Sequence, residues 1–369
     1  MESSRLFVGI EIGGTKLQLG LGTGAAAEVL ALERDTVRLP GQAAEIQQQI
    51  LAGCDRLLHR AGVKPDQVAG CGVGFGGPVE TSTGTITKSH QVAGWEQFRF
   101  TDWLQGQTGW PIVLHNDADA AAFAEALFGA GRGYDPVLYV TIGSGIGGGL
   151  VVGGQVYRGQ GAGAVEIGHL RPGGVPRRVP LAGTTVESIA SGFGLTERAR
   201  QLVADPTLSA RVGAADAAGL RALCGGDPTR LDTRLIAQGA RAGDPLCGDL
   251  LADATDTLAW GLSQAIALLN PARIVLGGES RCWGKRRFSP PCGGRLASRS
   301  SFPFGGWPRL CPPNSGKRWS STARWPWPAR HSLTRKPSKG PATMAKPARH
   351  LAAASIASPC ASQRMFALP

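Results

Sequence analysis

The sequence predicts an α/β chain with a duplicated, two-lobed architecture, and three observations carry that prediction. Two stretches read as strand, glycine turn, strand: Leu6 to Leu21, reversing at Gly13-Gly14, and Val137 to Val152, reversing within Gly143-Ser144-Gly145-Ile146-Gly147-Gly148-Gly149. Each is followed, after helical sequence, by another short apolar strand, Val68 to Val73 and Ile274 to Leu276. About 130 residues separate the hairpins, a spacing that fits two copies of one motif clamping a phosphate chain between them.

The opening hairpin runs apolar up to its turn and alternates with polar residues after it. Paired glycines permit the positive φ of a tight reversal and let a phosphate approach the backbone. Thr15 adds a hydroxyl and Lys16 a cation. An ordinary hairpin whose Gly-Gly serves only the turn fits these residues equally well. From Ala43 to Ala61, the residues Ile46, Ile50, Leu51, Cys54, Leu57, Leu58 and Ala61 fall near helical spacing. Val63-Lys64-Pro65-Asp66 breaks that helix, and the next strand runs into Gly74-Phe75-Gly76-Gly77-Pro78. Gly72-x-Gly74-x-x-Gly77 imitates a dinucleotide fingerprint, but that motif needs a helix at once and the following residues are extended, so NAD is not expected.

A strand from Trp110 to Leu114 delivers His115-Asn116-Asp117 to the start of an Ala-rich helix, Ala118 to Phe128. Asn116 or Asp117 can simply cap that helix. Equally, a carboxylate at a strand end beside a helix N-terminus stands where α/β sheets bind ligands. The second hairpin lacks the helix of a dinucleotide site, and no Walker A pattern is present. Glu166 and His169 fit a metal pair, a sugar-hydroxyl clamp or a surface pair; a zinc site needs more donors, and Leu170 to Thr185 has no Cys, His, Asp or Glu. Glu187 opens helical sequence reaching Arg200, residues 201 to 253 read as Ala-rich helices, and a helix from Thr255 to Leu269 stops at Asn270-Pro271. The strand after it aims at Gly277-Gly278, a third place for close backbone approach to a ligand.

The formal net charge of +12 points to nucleic acid only if it is spread over a face, and it is not. Residues 280 to 369 carry 17 Lys and Arg and no Asp or Glu; residues 1 to 279 carry 22 basic and all 27 acidic residues. The final 90 residues also hold five of nine Trp, four of eight Cys and 13 of 25 Pro. Two compositions are joined. Cys54, Cys71, Cys224 and Cys247 show no C-x-x-C spacing, which fits reduced thiols. Without a signal peptide or an 18-residue uncharged apolar stretch, a cytoplasmic protein with no membrane partner is expected.

Taken in order and at their spacing, these motifs, from residue 5 to residue 278, resemble the ROK family of sugar kinases, repressors and open reading frames. The resemblance implies the actin-like ATPase (ribonuclease H-like) fold: an N-terminal α/β domain over 1–115 and a larger α/β domain over 116–279, with the ligand cleft between them. It implies that Gly13, Gly14, Thr15 and Lys16, with Gly143, Ser144, Gly145 and Gly147, hold the ATP phosphates, and that Gly277 and Gly278 begin the adenosine motif. It makes Asp117 the catalytic base and Gly77, Asn116, Glu166, His169 and Glu187 sugar-binding residues, with ATP and Mg²⁺ as cofactors and a homodimer as the assembly. The implied reaction is phosphorylation of a hexose hydroxyl, glucose first, with fructose and N-acetylhexosamines as alternatives. A sugar-responsive regulator is disfavoured because six residues precede Phe7, too few for a helix-turn-helix.

Four departures from the family pattern stand out. Glu11 replaces the usual Asp, keeping the charge but adding a methylene that displaces any water-mediated contact with Mg²⁺. The Cys-rich zinc loop after the histidine is absent, so no zinc is expected. Gln91 stands in place of a sugar-contacting Asn, and Gly76 in place of a common Pro. Lastly, Glu279 interrupts a third glycine, and from Ser280 no helical or strand period is sustained. That tail is expected to be out-of-frame translation and disordered, which leaves the activity of the chain as written in question; a basic, Trp-bearing nucleic-acid tail is the disfavoured alternative.

Overall fold

The computed structural model describes residues 5–25, 28–37, 42–89, 92–160, 163–173, 178–179, 184–211, 214–278 and 309–311. The first lobe begins with β1 (Leu6–Ile12), β2 (Lys16–Gly22) and β3 (Val29–Thr36), followed by α1 (Ala43–Ala61) and β4 (Val68–Phe75). Three two-residue strands, β5 (Val79–Glu80), β6 (Thr85–Ile86) and β7 (Phe98–Arg99), form a small sheet of their own before α2 (Phe100–Thr108) and β8 (Ile112–Asn116). The main sheet has the order β3-β2-β1-β4-β8, with the first three strands antiparallel and β4 and β8 parallel to β1. α1 packs tightly on it: a Cβ on Gly53 would lie 2.9 Å from Leu19 Cδ1. The helix ends where Gly62, at φ 65°, turns its amide back to the carbonyls of His59 and Leu58.

The second lobe repeats this plan. After α3 (Asp117–Leu127) come β9 (Val137–Ile142), β10 (Ile146–Val152) and β11 (Gln155–Tyr157). A helical layer follows: α4 (Val186–Ala190), α5 (Gly192–Ala204), α6 (Pro206–Arg211), α7 (Ala214–Cys224), α8 (Thr233–Ala242) and α9 (Pro245–Leu269). The chain then returns as β12 (Arg273–Gly277) and β13 (Arg309–Cys311). The sheet order β11-β10-β9-β12-β13, with the same pattern of antiparallel and parallel neighbours, matches the first lobe strand for strand. β8 runs one residue past the expected boundary after residue 115.

Three expectations need correcting. The second glycine run is mostly strand: Gly147, Gly148 and Gly149 pair with Thr141, Val140 and Tyr139. Their missing side chains allow close packing, since a Cβ on Gly149 would lie 2.8 Å from Ala122 Cβ and one on Gly148 would lie 2.7 Å from the Val165 carbonyl. The helix expected from Thr255 begins ten residues earlier, where Asp244 caps it by accepting from the Cys247 amide. Asp253, Thr255, Asp256 and Thr257 are all buried in it, and polar residues facing inward hid the helical period. Finally, the tail is not without described structure: β13 lies parallel to β12, with Arg309 opposite Arg273 and Cys311 opposite Val275. The rest of the tail, with its expected disorder, lies outside the described residues, as does Gln91.

Asp253 explains its own burial. One carboxylate oxygen accepts from the Arg178 amide at 2.8 Å, and the other accepts from the Val179 amide and from Arg198 Nη2, both at 3.0 Å. Arg178 Nη1 reaches on to Asp256 at 3.0 Å. This ion network ties the segment after His169 to α9 and α5. No helix among the described residues is long and apolar enough to cross a membrane.

Candidate active site

The first hairpin turns through Gly13, whose amide donates to the Lys16 carbonyl at 2.9 Å. Gly13 is not left-handed, contrary to the expectation for this turn; close neighbours constrain it instead. The Gly76 amide donates to the Ile12 carbonyl at 2.8 Å, and a Cβ on Gly76 would lie 3.3 Å from that oxygen, 3.5 Å from Asp117 Oδ2 and 3.6 Å from Gly13 Cα. A side chain at position 76 would therefore crowd the Ile12 carbonyl, beside the Asp117 carboxylate. Thr15 and Lys16 stand exposed at the turn. Ile12, Gly13, Gly14, Phe75, Gly76, Ser89, Val92 and Trp95 line a small pocket beside it.

Asn116 and Asp117 divide the tasks that either could have performed. Asn116 is the cap: its Oδ1 accepts from the amides of Ala118 at 2.9 Å and Asp119 at 3.4 Å, while its Nδ2 donates to the Gly77 carbonyl at 3.1 Å. Its side chain is committed to the protein. Asp117, the first helical residue, accepts from the Ala118 amide through Oδ1 at 2.8 Å and directs Oδ2 toward Gly76. Asp117 is exposed to solvent, although neighbouring atoms crowd its carboxylate. Burial pushes its pKa up to about 6, opposed by the Ala118 amide and reinforced by the charges of Glu11 and Glu166. On its other side, Ala118 meets β10, for a Cβ on Gly147 would lie 3.6 Å from Ala118 Cβ. Asp117 thus stands between the two hairpins.

Glu11 lies on β1 opposite Gln18, whose Nε2 donates to Glu11 Oε2 at 3.0 Å; Gln18 Oε1 in turn accepts from Arg34 Nε at 3.1 Å. Burial raises the Glu11 pKa, while Gln18 and the Lys16 charge pull it down. Among the described residues no group of three or more His, Cys, Asp or Glu is arranged to hold a metal. Two carboxylates that sense each other, Glu11 and Asp117, nevertheless suit Mg²⁺, which takes one or two carboxylates and completes its shell with water and phosphate oxygens.

Glu166 and His169 flank a short turn, with His169 Nδ1 3.7 Å from Glu166 Oε2 and both side chains more than half exposed. Val165, just before them, sits at φ 62°, an uncommon conformation for a β-branched residue and one that clusters at ligand sites. Glu187 is at the second hairpin, its Oε2 accepting from the Ile146 amide at 2.7 Å. Gly278, at φ 99°, presses on β9, where a Cβ would lie 2.4 Å from the Ile142 carbonyl; Gly277 abuts Tyr139. The Gly-Gly pair thus serves packing of β12 on β9.

Sequence reasoning missed two residues. Asp119, in the first turn of α3, has its pKa raised to about 6 by burial, with Arg158 opposing and Glu166 and Asp117 reinforcing. Arg158 places Nη2 3.4 Å from both ring nitrogens of the buried His115, whose pKa burial and that cation push down to about 4. Asp119, two residues past Asp117 in the same turn, had a signal in the sequence; Arg158 had none.

The ROK family model matches residues 7–281, about three quarters of the chain. The chain belongs to the ROK family. The glucokinase of Halalkalibacterium halodurans is 30% identical over 279 residues, covering 75% of this chain and 81% of that protein. The glucokinase of Streptomyces coelicolor is 30% identical over 277 residues, covering 74% and 81%. A ROK family glucokinase from Streptomyces griseus, solved in complex with glucose and AMPPNP, superposes with a TM-score of 0.62 at 27% identity, over 79% of this chain and 89% of that one. The fold of this ROK chain is accordingly the actin-like ATPase fold, with its paired five-stranded sheets.

Proposed function

We propose that this chain is an ATP-dependent sugar kinase that phosphorylates a hexose hydroxyl, with glucose the first substrate to test. The observation that carries the reading is the carboxylate of Asp117, raised to about 6 and held between two glycine hairpins. A sugar hydroxyl attacking the γ-phosphate must lose its proton, and a carboxylate with a pKa near 6 is ionised at neutral pH yet basic enough to take it. Asp117 accepts that proton. Thr15, Lys16 and the backbone at Gly13, Gly14 and Gly143 to Gly145 hold the phosphates in line. Glu166 and His169, exposed and close to each other, orient sugar hydroxyls through hydrogen bonds. Mg²⁺, which Glu11 would hold through water, neutralises phosphate charge when bound.

Glucose ranks first because two relatives named glucokinases match at 30% identity over most of their length. Fructose and N-acetylhexosamines remain in the panel, and a relative named β-glucoside kinase, from Listeria innocua, adds glucosides at 29% identity. ATP consumption measured over this panel tests the proposal: turnover of at least one sugar that Asp117→Asn abolishes is the expected result. Full activity in that variant, or no turnover of any sugar by wild type, would overturn it.

A further inference from the structure

We infer that Gly261, in the interior of α9, is a positioning residue for the sugar: its missing side chain lets the turn that carries Glu166 and His169 seat against the helix. This rests on the kinase reading above, which gives those two side chains the sugar hydroxyls.

Glycine is among the least favourable residues inside a helix, yet Gly261 lies buried within α9. The neighbours above it account for the choice. A Cβ there would lie 3.3 Å from Val186 Cγ2 and 3.7 Å from Ile167 Cγ1. Ile167 stands between Glu166 and His169, Val186 opens α4, and both are buried. One glycine therefore lies under the sugar turn and under the start of α4 together.

Those two contacts belong to one unit. The Val186 amide donates to the Leu170 carbonyl at 2.8 Å, and the Leu170 amide donates to the Ile167 carbonyl at 3.3 Å. Within the turn, the His169 amide donates to the Glu166 carbonyl at 3.0 Å, which joins the two residues. Farther back on α9, Asp253 accepts from the amides of Arg178 at 2.8 Å and Val179 at 3.0 Å. Asp253, Thr257 and Gly261 are spaced i, i+4 and i+8, which places them along one face of the helix. That face fastens the segment after His169 at one end and the turn itself at the other.

Glu166 and His169 are more than half exposed, so their placement depends on the backbone that carries them. Val165, at φ 62°, holds a conformation that lasts only where the surrounding structure imposes it. The Ile167 amide donates to the Val165 carbonyl at 2.7 Å, and the contact at Gly261 thereby fixes the base of the turn. A polar pocket discriminates by where such hydrogen-bonding groups stand, and a misplacement of about 1 Å is costly.

The test fills this space and then reopens it. Gly261→Ala adds a methyl group, and combining it with Val186→Ala removes the methyls that the new one meets. Kinetics are measured with ATP and glucose, or with whichever panel sugar turns over fastest, beside thermal melting and AMPPNP binding without sugar. Gly261→Ala is expected to raise the sugar KM about tenfold and to lower kcat by less than about threefold. Its AMPPNP affinity should stay within about twofold of wild type. Its melting temperature should stay within about 3 °C, because the gain in helix propensity offsets the crowding. The double variant is expected to bring the sugar KM back to within about threefold of wild type. If Gly261→Ala fails to fold, Val186→Ala alone, which slackens the same contact, is expected to raise the sugar KM about fivefold and to leave AMPPNP binding unchanged. An unchanged sugar KM in the folded variant would overturn the inference. Equal losses for sugar and AMPPNP that the second substitution does not repair would overturn it too, leaving Gly261 a packing role alone. Wild-type protein that turned over no sugar would overturn the kinase reading and this inference with it, a result distinct from an active wild type matched by its variant.

Discussion

Asn116 caps the helix that Asp117 begins, and its amide simultaneously grips the Gly77 carbonyl on the loop after β4. One side chain therefore sets both the start of α3 and the distance from that helix to the glycine loop. Asn116→Ala is expected to cost about 1–2 kcal/mol in denaturant unfolding, the usual value of an N-cap plus one further hydrogen bond. It is also expected to lower kcat more than it raises the sugar KM, because Asp117 loses its orientation.

The raised pKa of Asp117 gives a pH signature. The base works ionised, so kcat/KM should fall as pH drops through about 6, and by roughly tenfold one unit below that value. A pH–rate profile measured with saturating ATP checks it; a flat profile down to pH 5 would exclude Asp117 as the titrating base.

Asp117→Asn should separate activity from stability. In the fold this carboxyl keeps its proton up to about pH 6, whereas an unfolded Asp releases it near 4. Protonation therefore favours the folded state, and that contribution is lost as pH rises through 6. The Asn variant carries no charge to be desolvated. It should melt at or above the wild-type temperature at pH 7.5 while losing about 10²–10⁴-fold in kcat.

Asp253→Ala should be among the most destabilising substitutions in the second lobe. It leaves the guanidinium of Arg198 buried without its carboxylate and frees the Arg178 and Val179 amides, a loss of about 3–5 kcal/mol. Chemical denaturation measures it, and a change below 1 kcal/mol would show that the network adds little.

The family match stops at residue 281, close to where the last acidic residue, Glu279, occurs, and the alignments with the two glucokinases cover 81% of each of those proteins. We propose that a change of reading frame near codon 278 underlies both. Resequencing the gene across Leu276 to Trp283 is expected to find a one- or two-base change whose correction restores kinase-like sequence. A confirmed frame with no such correction removes the explanation.

Much of the fold was legible because it is written in local patterns. α1 was read to the residue from the spacing of Ile46, Ile50, Leu57 and Leu58, and β9 from a largely apolar run. The duplication was visible in the two hairpins, and the sheet orders repeat it. What failed depended on partners distant in sequence. The early turns of α9 were hidden because Asp253 faces inward to meet an arginine that no local period announces. Gly147 to Gly149 read as turn because a glycine that admits a neighbouring helix looks the same in sequence as one that admits a phosphate. Asn116 against Asp117 as the cap was undecidable locally, since both residue types cap well; the Ala118 and Asp119 amides, which donate to Asn116 Oδ1, decide it.

The short strand β13 has a consequence for handling the protein. In the first lobe β8 covers β4 over five residue pairs, Cys71 to Phe75, whereas β13 covers β12 over three, Arg273 to Val275. Among the described residues, the Leu276–Gly277 end of β12 is thus a sheet margin that β13 does not reach, and such a margin is a template for a strand from another molecule. Concentrated preparations should therefore self-associate through this margin, and a chain carrying a full-length fifth strand should stay dispersed.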